Sequence, residues 1–311
     1  MMKFTTQYRG RILQLVSELN NLREYLMRIN IICFLIFATL TTMLAPRVSN
    51  ATGISVDAGL NPSEGRWMVR TMLHTMYRGG DTTPMGRSMD TYRFNAVLAY
   101  GLRRNLTVIL KQPTVHQEMT MAGTTSENTG ISELSMMTKY GIYRRNTRDY
   151  TLGVATTLGL KLPTGATTFS SRAYDLNVGI YTSIRTGTWS SDFNIAFGLN
   201  SFVKKNDDVV DVGAEFTLDW ALAYQFNIGQ SANLTLTPLL EVSYKNIASN
   251  QLNSKDLTDS GEKLFFLSPG LKFVKSSVIT EVLVQIPVSQ SQNGNLLERE
   301  TGFIVGIRYM F

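Results

Sequence analysis

Cysteine is all but missing from this sequence: Cys33 is the single one in 311 residues. A disulfide framework is therefore excluded. Only two histidines occur, His74 and His116, so imidazole chemistry and histidine-based metal sites have little to draw on. Charge is sparse as well: 17% of the residues are Asp, Glu, Lys or Arg, against 43% hydrophobic, too few charges for a charged disordered chain. The net charge of +6 suggests a basic partner surface at first sight. Six of the 30 Lys and Arg and two of the 24 Asp and Glu fall in residues 1–51, however, so that stretch carries +4 and the rest only +2. No nucleic-acid footprint follows. Finally, no run beyond residue 60 is apolar enough for a membrane helix, which needs roughly 20 such residues.

Before residue 52 the pattern is different. Ile29 to Leu44 is apolar apart from Asn30 and its threonines, follows Arg23 and Arg28, and gives way to Pro46 and the small-residue stretch Val48-Ser49-Asn50-Ala51. That order of charge, greasy run and small residues is a secretory signal peptide, expected to be cleaved after Ala51. Residues 1–26 are long for the leading region, and Met27 would serve as a start. The alternative is an uncleaved anchor. Cleavage removes Cys33 and leaves 260 residues without a thiol, which suits an oxidising compartment.

What the remainder has in abundance is period-two alternation. From Thr151 to Leu162, Leu152, Val154, Thr156, Leu158, Leu160 and Leu162 fall on one side, and Thr151, Gly153, Ala155, Thr157, Gly159 and Lys161 on the other. Such a segment is a strand with one oily and one small or polar face. The pattern recurs over residues 209–226, where Phe216, Leu218, Trp220, Leu222 and Tyr224 oppose Glu215, Thr217, Asp219, Ala221 and Ala223, and again over 174–185 and 192–201. About twelve strands are expected, near residues 66–77, 91–102, 105–114, 131–143, 149–162, 173–187, 190–202, 209–226, 232–245, 262–274, 277–288 and 301–311. Most reach the roughly 9 to 11 residues that a tilted barrel strand needs to cross a bilayer.

The connections alternate between short and long. Short links lie at 103–104, 144–148, 187–190, 227–231 and 275–276; long ones lie at 78–90, 115–130, 163–172, 203–208, 245–261 and 289–300. This sorting is the mark of a transmembrane antiparallel up-and-down β-barrel, all-β, with turns in the periplasm and loops outside. A bilayer also demands closure, because an open sheet edge in hydrocarbon leaves backbone groups unbonded. The expected organisation is residues 1–51 as extension and cleaved signal, 52–65 as a periplasmic segment, and 66–311 as the barrel. Aromatic residues such as Trp67, Tyr100, Trp189 and Phe226 fall at or beside strand ends, as interfacial girdles do.

Three motifs, with the closing Val305 to Phe311, carry a family resemblance: Gly159-Leu160-Lys161-Leu162-Pro163-Thr164-Gly165, Leu267-Ser268-Pro269-Gly270-Leu271-Lys272-Phe273 and Val284-Gln285-Ile286-Pro287-Val288-Ser289-Gln290. In this order and spacing the chain resembles the outer-membrane barrels known as meta-pathway phenol-degradation proteins, which are transporter-like, over most of residues 60–311. The resemblance implies a channel in the cell outer membrane that passes small hydrophobic or aromatic solutes. It supplies no substrate-contacting residues to carry over. The last strand, ending Tyr309-Met310-Phe311, resembles the carboxy-terminal signal read by the barrel-assembly machinery.

If the oily faces meet outer-membrane lipid, the opposite faces line the lumen. The candidate lining residues are Arg93, Lys111, Glu133, Lys139, Lys161, Asp175, Arg185, Asp192, Glu215, Asp219, Glu241, Lys272, Glu281 and Arg308. Both signs are present, so a pore would be weakly charge-selective unless the charges segregate; alternatively the groups pair across a narrow barrel. Met68, Met72 and Met76 share the first strand with Arg70 and His74 and offer an adaptable apolar site. A barrel enzyme acting on lipid or peptide is the rival class, and a structural barrel without transport the third. Neither histidine has a serine at a suggestive spacing, Asp81 and Asp90 form no paired arrangement, and no phosphate loop or zinc spacing occurs. The reading is therefore a non-enzymatic passive channel with no cofactor, whose partners are membrane lipid, the assembly machinery through the Phe311 strand, and a small-molecule solute. Leu158→Arg should impair assembly, and Thr157→Arg should be better tolerated if the lumen has room.

Overall fold

A computed structural model describes residues 52–205, 208–228 and 234–311, so the expected export signal at 1–51 lies outside the described residues. No helix occurs among those described. Twelve long strands form the wall: β1 Trp67–Gly79, β2 Ser88–Arg103, β3 Leu106–Met121, β4 Ser135–Asn146, β5 Thr151–Lys161, β6 Asp175–Thr186, β7 Trp189–Leu199, β8 Glu215–Tyr224, β9 Leu234–Ile247, β10 Glu262–Lys275, β11 Val278–Gln292 and β12 Gly302–Met310. Each is antiparallel to its sequence neighbour, and β1 pairs with β12, so the sheet closes. At that junction Trp67 N donates to Phe311 O at 2.9 Å and Phe311 N to Trp67 O at 3.0 Å.

Alternation decides the wall. Leu158, Ile180, Phe197, Phe273 and Val305 stand 43% to 54% exposed on the outside, while their strand neighbours Thr157, Gly179, Ala196, Lys272 and Ile304 turn inward. A belt this large is far beyond the apolar patches that soluble monomers leave exposed, and its natural solvent is hydrocarbon. Aromatic rings rim the end where the turns are short: Trp67 stacks on Tyr100 at 4.3 Å, Trp189 meets Tyr224 at 4.9 Å, and Tyr309 meets Phe311 at 5.5 Å.

Turns and longer loops sort to opposite ends as expected, with two departures. β3 does not stop near residue 114. It runs to Met121 and folds back on a short strand, Thr124–Ile131, in a hairpin that stands beyond the wall. The wall resumes only at Ser135; Pro113 has no N–H to give there, and Gln112 Nε2 bridges the step by donating to Ser132 O at 2.8 Å. Second, the stretch 209–226 is two elements rather than one. Asp208–Asp211 joins Phe202–Lys205, Gln251–Leu252 and Lys255–Asp256 in a small four-stranded sheet of the loops, and Glu215–Tyr224 enters the wall, followed by the short strand Phe226–Ile228, which also pairs with β9.

The core lies within the barrel. Ile54 is enclosed by Ala223, Leu239, Leu283 and Ile304, with Met72 against them. Four of these five come from the wall, and Ile54 comes from the segment before β1. That segment, expected on the periplasmic side, runs inside the barrel instead.

Candidate functional site

The chain turns inward just before β1. Gly65 N donates to Gly101 O at 2.8 Å, Gly101 N to Arg66 O at 3.0 Å, and Arg66 N to Ser63 O at 3.1 Å. Gly101 is required here, because a Cβ would collide with Ser63 O. From there residues 62–52 cross the lumen as a strap without regular secondary structure. Lys139 of β4 donates to Ala58 O and Leu60 O at 2.9 Å each, and Ser183 Oγ of β6 accepts from Gly59 N at 2.7 Å. Glu241 of β9 accepts from the backbone of Ile54 and from Ser55. Asp192 of β7 accepts from Thr52 N at 2.8 Å, while Lys272 of β10 donates to Gly53 O at 2.8 Å and to Thr52 O. These partners stand on five different strands around the wall, so the strap spans the interior. Gly59 lies so close to Tyr181 O that no side chain fits between them.

The strap has no sheet of its own, so its backbone polar groups are bonded by charged wall residues. That arrangement explains why Asp192, Glu241 and Lys272 are almost fully buried: each contributes charge-assisted hydrogen bonds, roughly twice as strong as neutral ones. The charges are balanced among themselves. Glu281 lies between Arg70 and Arg308, the latter at 3.2 Å, and Arg185 pairs with Asp192 at 2.8 Å. Removing one member of such a buried set costs about 3 to 5 kcal/mol, since the partner is left uncompensated. Between strap and wall a cavity of about 80 Å³ remains, bordered by Asp57, Leu60, Arg70, Met137, Tyr181 and Arg308.

The fourteen residues singled out from the sequence divide into groups. Lys139, Asp192, Glu241 and Lys272 hold the strap; Glu281, Arg308 and Arg185 belong to the ion pairs around it. Toward the loop end, Glu215 pairs with Lys245 at 3.3 Å, Asp219 accepts from Ser243, and Lys161 pairs with Asp175 and, at 3.5 Å, with Glu133. Glu133 is not on β4 as the expected strand 131–143 had it. It lies in the link before β4 and accepts from Ser170 Oγ and Ser171 Oγ at 2.8 Å, tying the 162–174 loop to the wall. Burial works to raise its pKa, but those hydroxyls, Lys161 and the Ser171 N–H outweigh it and hold the carboxyl below the ordinary range. Arg93 and Lys111, on β2 and β3, join none of these pairs.

Sequence reasoning missed the strap itself, and with it Ser183 and Ser55. A signal existed in the wall: Gly101 and Gly153 sit on inner faces where a Cβ would meet Ser63 O and Leu60 Cδ2 of the segment before β1, and a barrel free of contents has no need of such small residues there.

The residues of the rival class are dispersed. His74 Nε2 bonds Gln285 Oε1 at 2.6 Å inside the barrel. His116 lies on the outer side of the β3 hairpin between Thr129 and Glu118, at 2.7 and 3.0 Å. Asp81 is held in the β1–β2 loop by Arg87 at 2.8 Å and by Thr83, and the Arg87 bond first of all keeps its carboxyl far below the usual range.

Comparison with known proteins agrees with this architecture. A family model described as "Putative MetA-pathway of phenol degradation" matches residues 88–274, more than half of the chain. Among solved structures, an outer membrane channel from Pseudomonas putida F1 superposes with a TM-score of 0.65 at 12% identity, covering 84% of this chain and all of that one. The transport unit of the autotransporter AIDA-I from Escherichia coli gives a TM-score of 0.47 at 10% identity over 84% of this chain and 95% of that one. For the β domain of the Bordetella autotransporter BrkA the score is 0.46 at 10% identity over 80% and 100%. Curated protein sequences yield no match.

Proposed function

The chain belongs to the family described as "Putative MetA-pathway of phenol degradation", and from that premise we propose that it is an outer-membrane channel for passive passage of small hydrophobic or aromatic solutes. The observation that carries the reading is the closed twelve-strand wall, oily outside and polar within. Only a bilayer rewards that inversion. The fold it shares with the Pseudomonas putida channel supports the same function. In this orientation the short turns and both ends of the barrel chain face the periplasm, the longer loops face outward, and the Phe311 strand is presented to the assembly machinery. Cleavage after Ala51 accompanies export and places the new amino terminus at Thr52, inside the barrel.

Passage through the lumen then requires the strap to withdraw or shift, because residues 52–62 cross the route between the two ends. The strap is the gate in this account. Its polar bonds to Lys139, Asp192 and Glu241 can be exchanged for water at moderate cost, unlike a wall strand.

Planar-bilayer recordings of the purified protein test both parts. The intact chain is expected to conduct weakly and intermittently, and a variant lacking residues 53–62 to conduct steadily at a higher level. Absence of conductance and of solute uptake in both proteins would overturn the channel reading and leave a structural barrel.

A further inference from the structure

Nearly every cation within the barrel has an acid to face. Arg70 and Arg308 have Glu281, Arg185 has Asp192, Lys161 has Asp175, and Lys245 has Glu215. Two do not. Among the described residues Arg93 and Lys111 make no hydrogen bond or ion pair, and the Nε of Arg93 is buried without a partner. They share the inner face of adjacent strands: Val97 and Lys111 are paired across β2 and β3, Arg93 stands four residues from Val97 toward the loops, two repeats of the pleat, and the charge of Arg93 reaches Lys111. Glu215 and Asp57 act on them only through space, and Glu215 is already engaged by Lys245.

A third group falls in the same place. Asn95 lies between Arg93 and Val97 on the inner face of β2, and its Oδ1 is buried and unbonded. The pairing fixes the rest of the surroundings. Val115 stands opposite Arg93, Met72 opposite Asn95, and Val97 between Arg70 and Lys111, all on the inner face. Arg70 also donates to Ile54 O of the strap, so Lys111 stands level with that contact and Asn95 and Arg93 lie beyond it toward the loops.

An unsatisfied guanidinium nitrogen, an unpaired ammonium and an unbonded amide oxygen cost free energy where they stand. A barrel that supplies acids or strap carbonyls to its other cations leaves this pair open because the missing anion comes from outside. We propose that Arg93, Asn95 and Lys111 form a binding site for a small organic carboxylate: the carboxylate meets Arg93 and Lys111, a hydroxyl donates to Asn95 Oδ1, and an apolar ring lies against Val97, Val115 and Met72. A hydroxylated aromatic acid satisfies all three requirements; an inorganic anion satisfies one. The site rests on the channel reading only for the solute's route, since binding itself needs no conduction.

The test is equilibrium binding to the detergent-purified full chain by calorimetry, with 4-hydroxybenzoate as ligand and the uncharged 4-hydroxybenzamide as its control. The acid is expected to bind at neutral pH about tenfold or more tighter than the amide. The single substitutions Arg93→Gln and Lys111→Gln should each weaken the acid several-fold, the double variant should abolish the preference, and heat-modifiable gel migration should show that the barrels are intact. Equal affinity for acid and amide on the unmodified protein would overturn the proposal without recourse to any variant, as would a folded double variant that binds like the parent. Chloride displacing the acid at equal concentration would also overturn it, reducing the site to a general anion patch.

Discussion

The backbone nitrogen of Thr52 lies 2.8 Å from Oδ2 of Asp192, a carboxylate with no exposed surface. With cleavage after Ala51 that nitrogen is an ammonium, and the hydrogen bond becomes an ion pair in a polar, enclosed setting. Intact mass of the protein purified from outer membranes should correspond to a chain beginning at Thr52. Asp192→Asn should loosen the strap and raise the open fraction in bilayer recordings several-fold, because it removes the charge that Thr52, Gly53 and Arg185 share. A mature terminus elsewhere, with unchanged recordings for Asp192→Asn, would refute the coupling.

Gly59→Val addresses the strap by shape alone. The added side chain has no space against Tyr181 O, so the segment should leave its seat while the wall, whose ladder does not include residue 59, still assembles. Steady conductance with normal heat-modifiable migration is the expected pair of results.

For the wall, Leu158→Arg puts a charge on an outward position 54% exposed to its surroundings. The expected cost is about 2 to 4 kcal/mol if that level is the bilayer midplane, measured by denaturant unfolding from lipid vesicles. Thr157→Arg was expected to fare better given room. Thr157 is only 2% exposed, in a lumen that the strap occupies, so this substitution should also impair assembly, and in a strap-deleted background it should do so less.

The β1–β2 loop offers a pH prediction. The Asp81 carboxyl is depressed by Arg87, so its contribution is present above the unfolded carboxylate pKa of about 4 and is lost only as pH falls through the lower folded value. The Arg87 Nε proton should therefore remain protected in NMR spectra at pH 4, where an ordinary aspartate is half protonated, and lose protection in stronger acid. In Asp81→Asn it should be unprotected at neutral pH.

Orientation can be read with trypsin. On intact cells Lys255 and Arg172, exposed in the longer loops, should be cut, whereas Arg144, Arg145 and Arg148 at the β4–β5 turn should be cut only after the envelope is opened. The reverse order would invert the barrel in the membrane.

The wall was legible because a lipid-facing strand must alternate at every step: Leu158 beside Thr157 says the same thing in sequence and in space. Legibility ended where that constraint ends. The outer half of β3, with Gln117, Glu118 and Thr120, stands in water on both sides and reads as a loop. Residues 209–226 keep one period through Val212 to Ala214 although the chain changes sheets there. Least legible was 52–62, whose Gly, Asn and Pro read as a linker; its place is encoded in Lys139, Asp192 and Glu241, some 80 to 190 positions away. The motifs that carried the family resemblance mark the wall for the most part, although Lys272, Gln285 and Arg308 within them face the lumen. Pro269 sits where β10 and β11 lose rungs between Leu267↔Ile286 and Gly270↔Leu283, and Pro287, opposite Phe266, sits at the register shift between Phe265 and Phe266.

The reciprocal bonds of Trp67 and Phe311 impose an order of events. The free margin of the first wall strand is covered only when β12 pairs with it, so until then the polypeptide is an unfinished ribbon with two raw borders. Half a ribbon cannot be lodged in fat and completed later. Escort across the aqueous gap therefore has to last until β12 arrives, and a chain truncated before Gly302 should yield debris rather than a leaky pore.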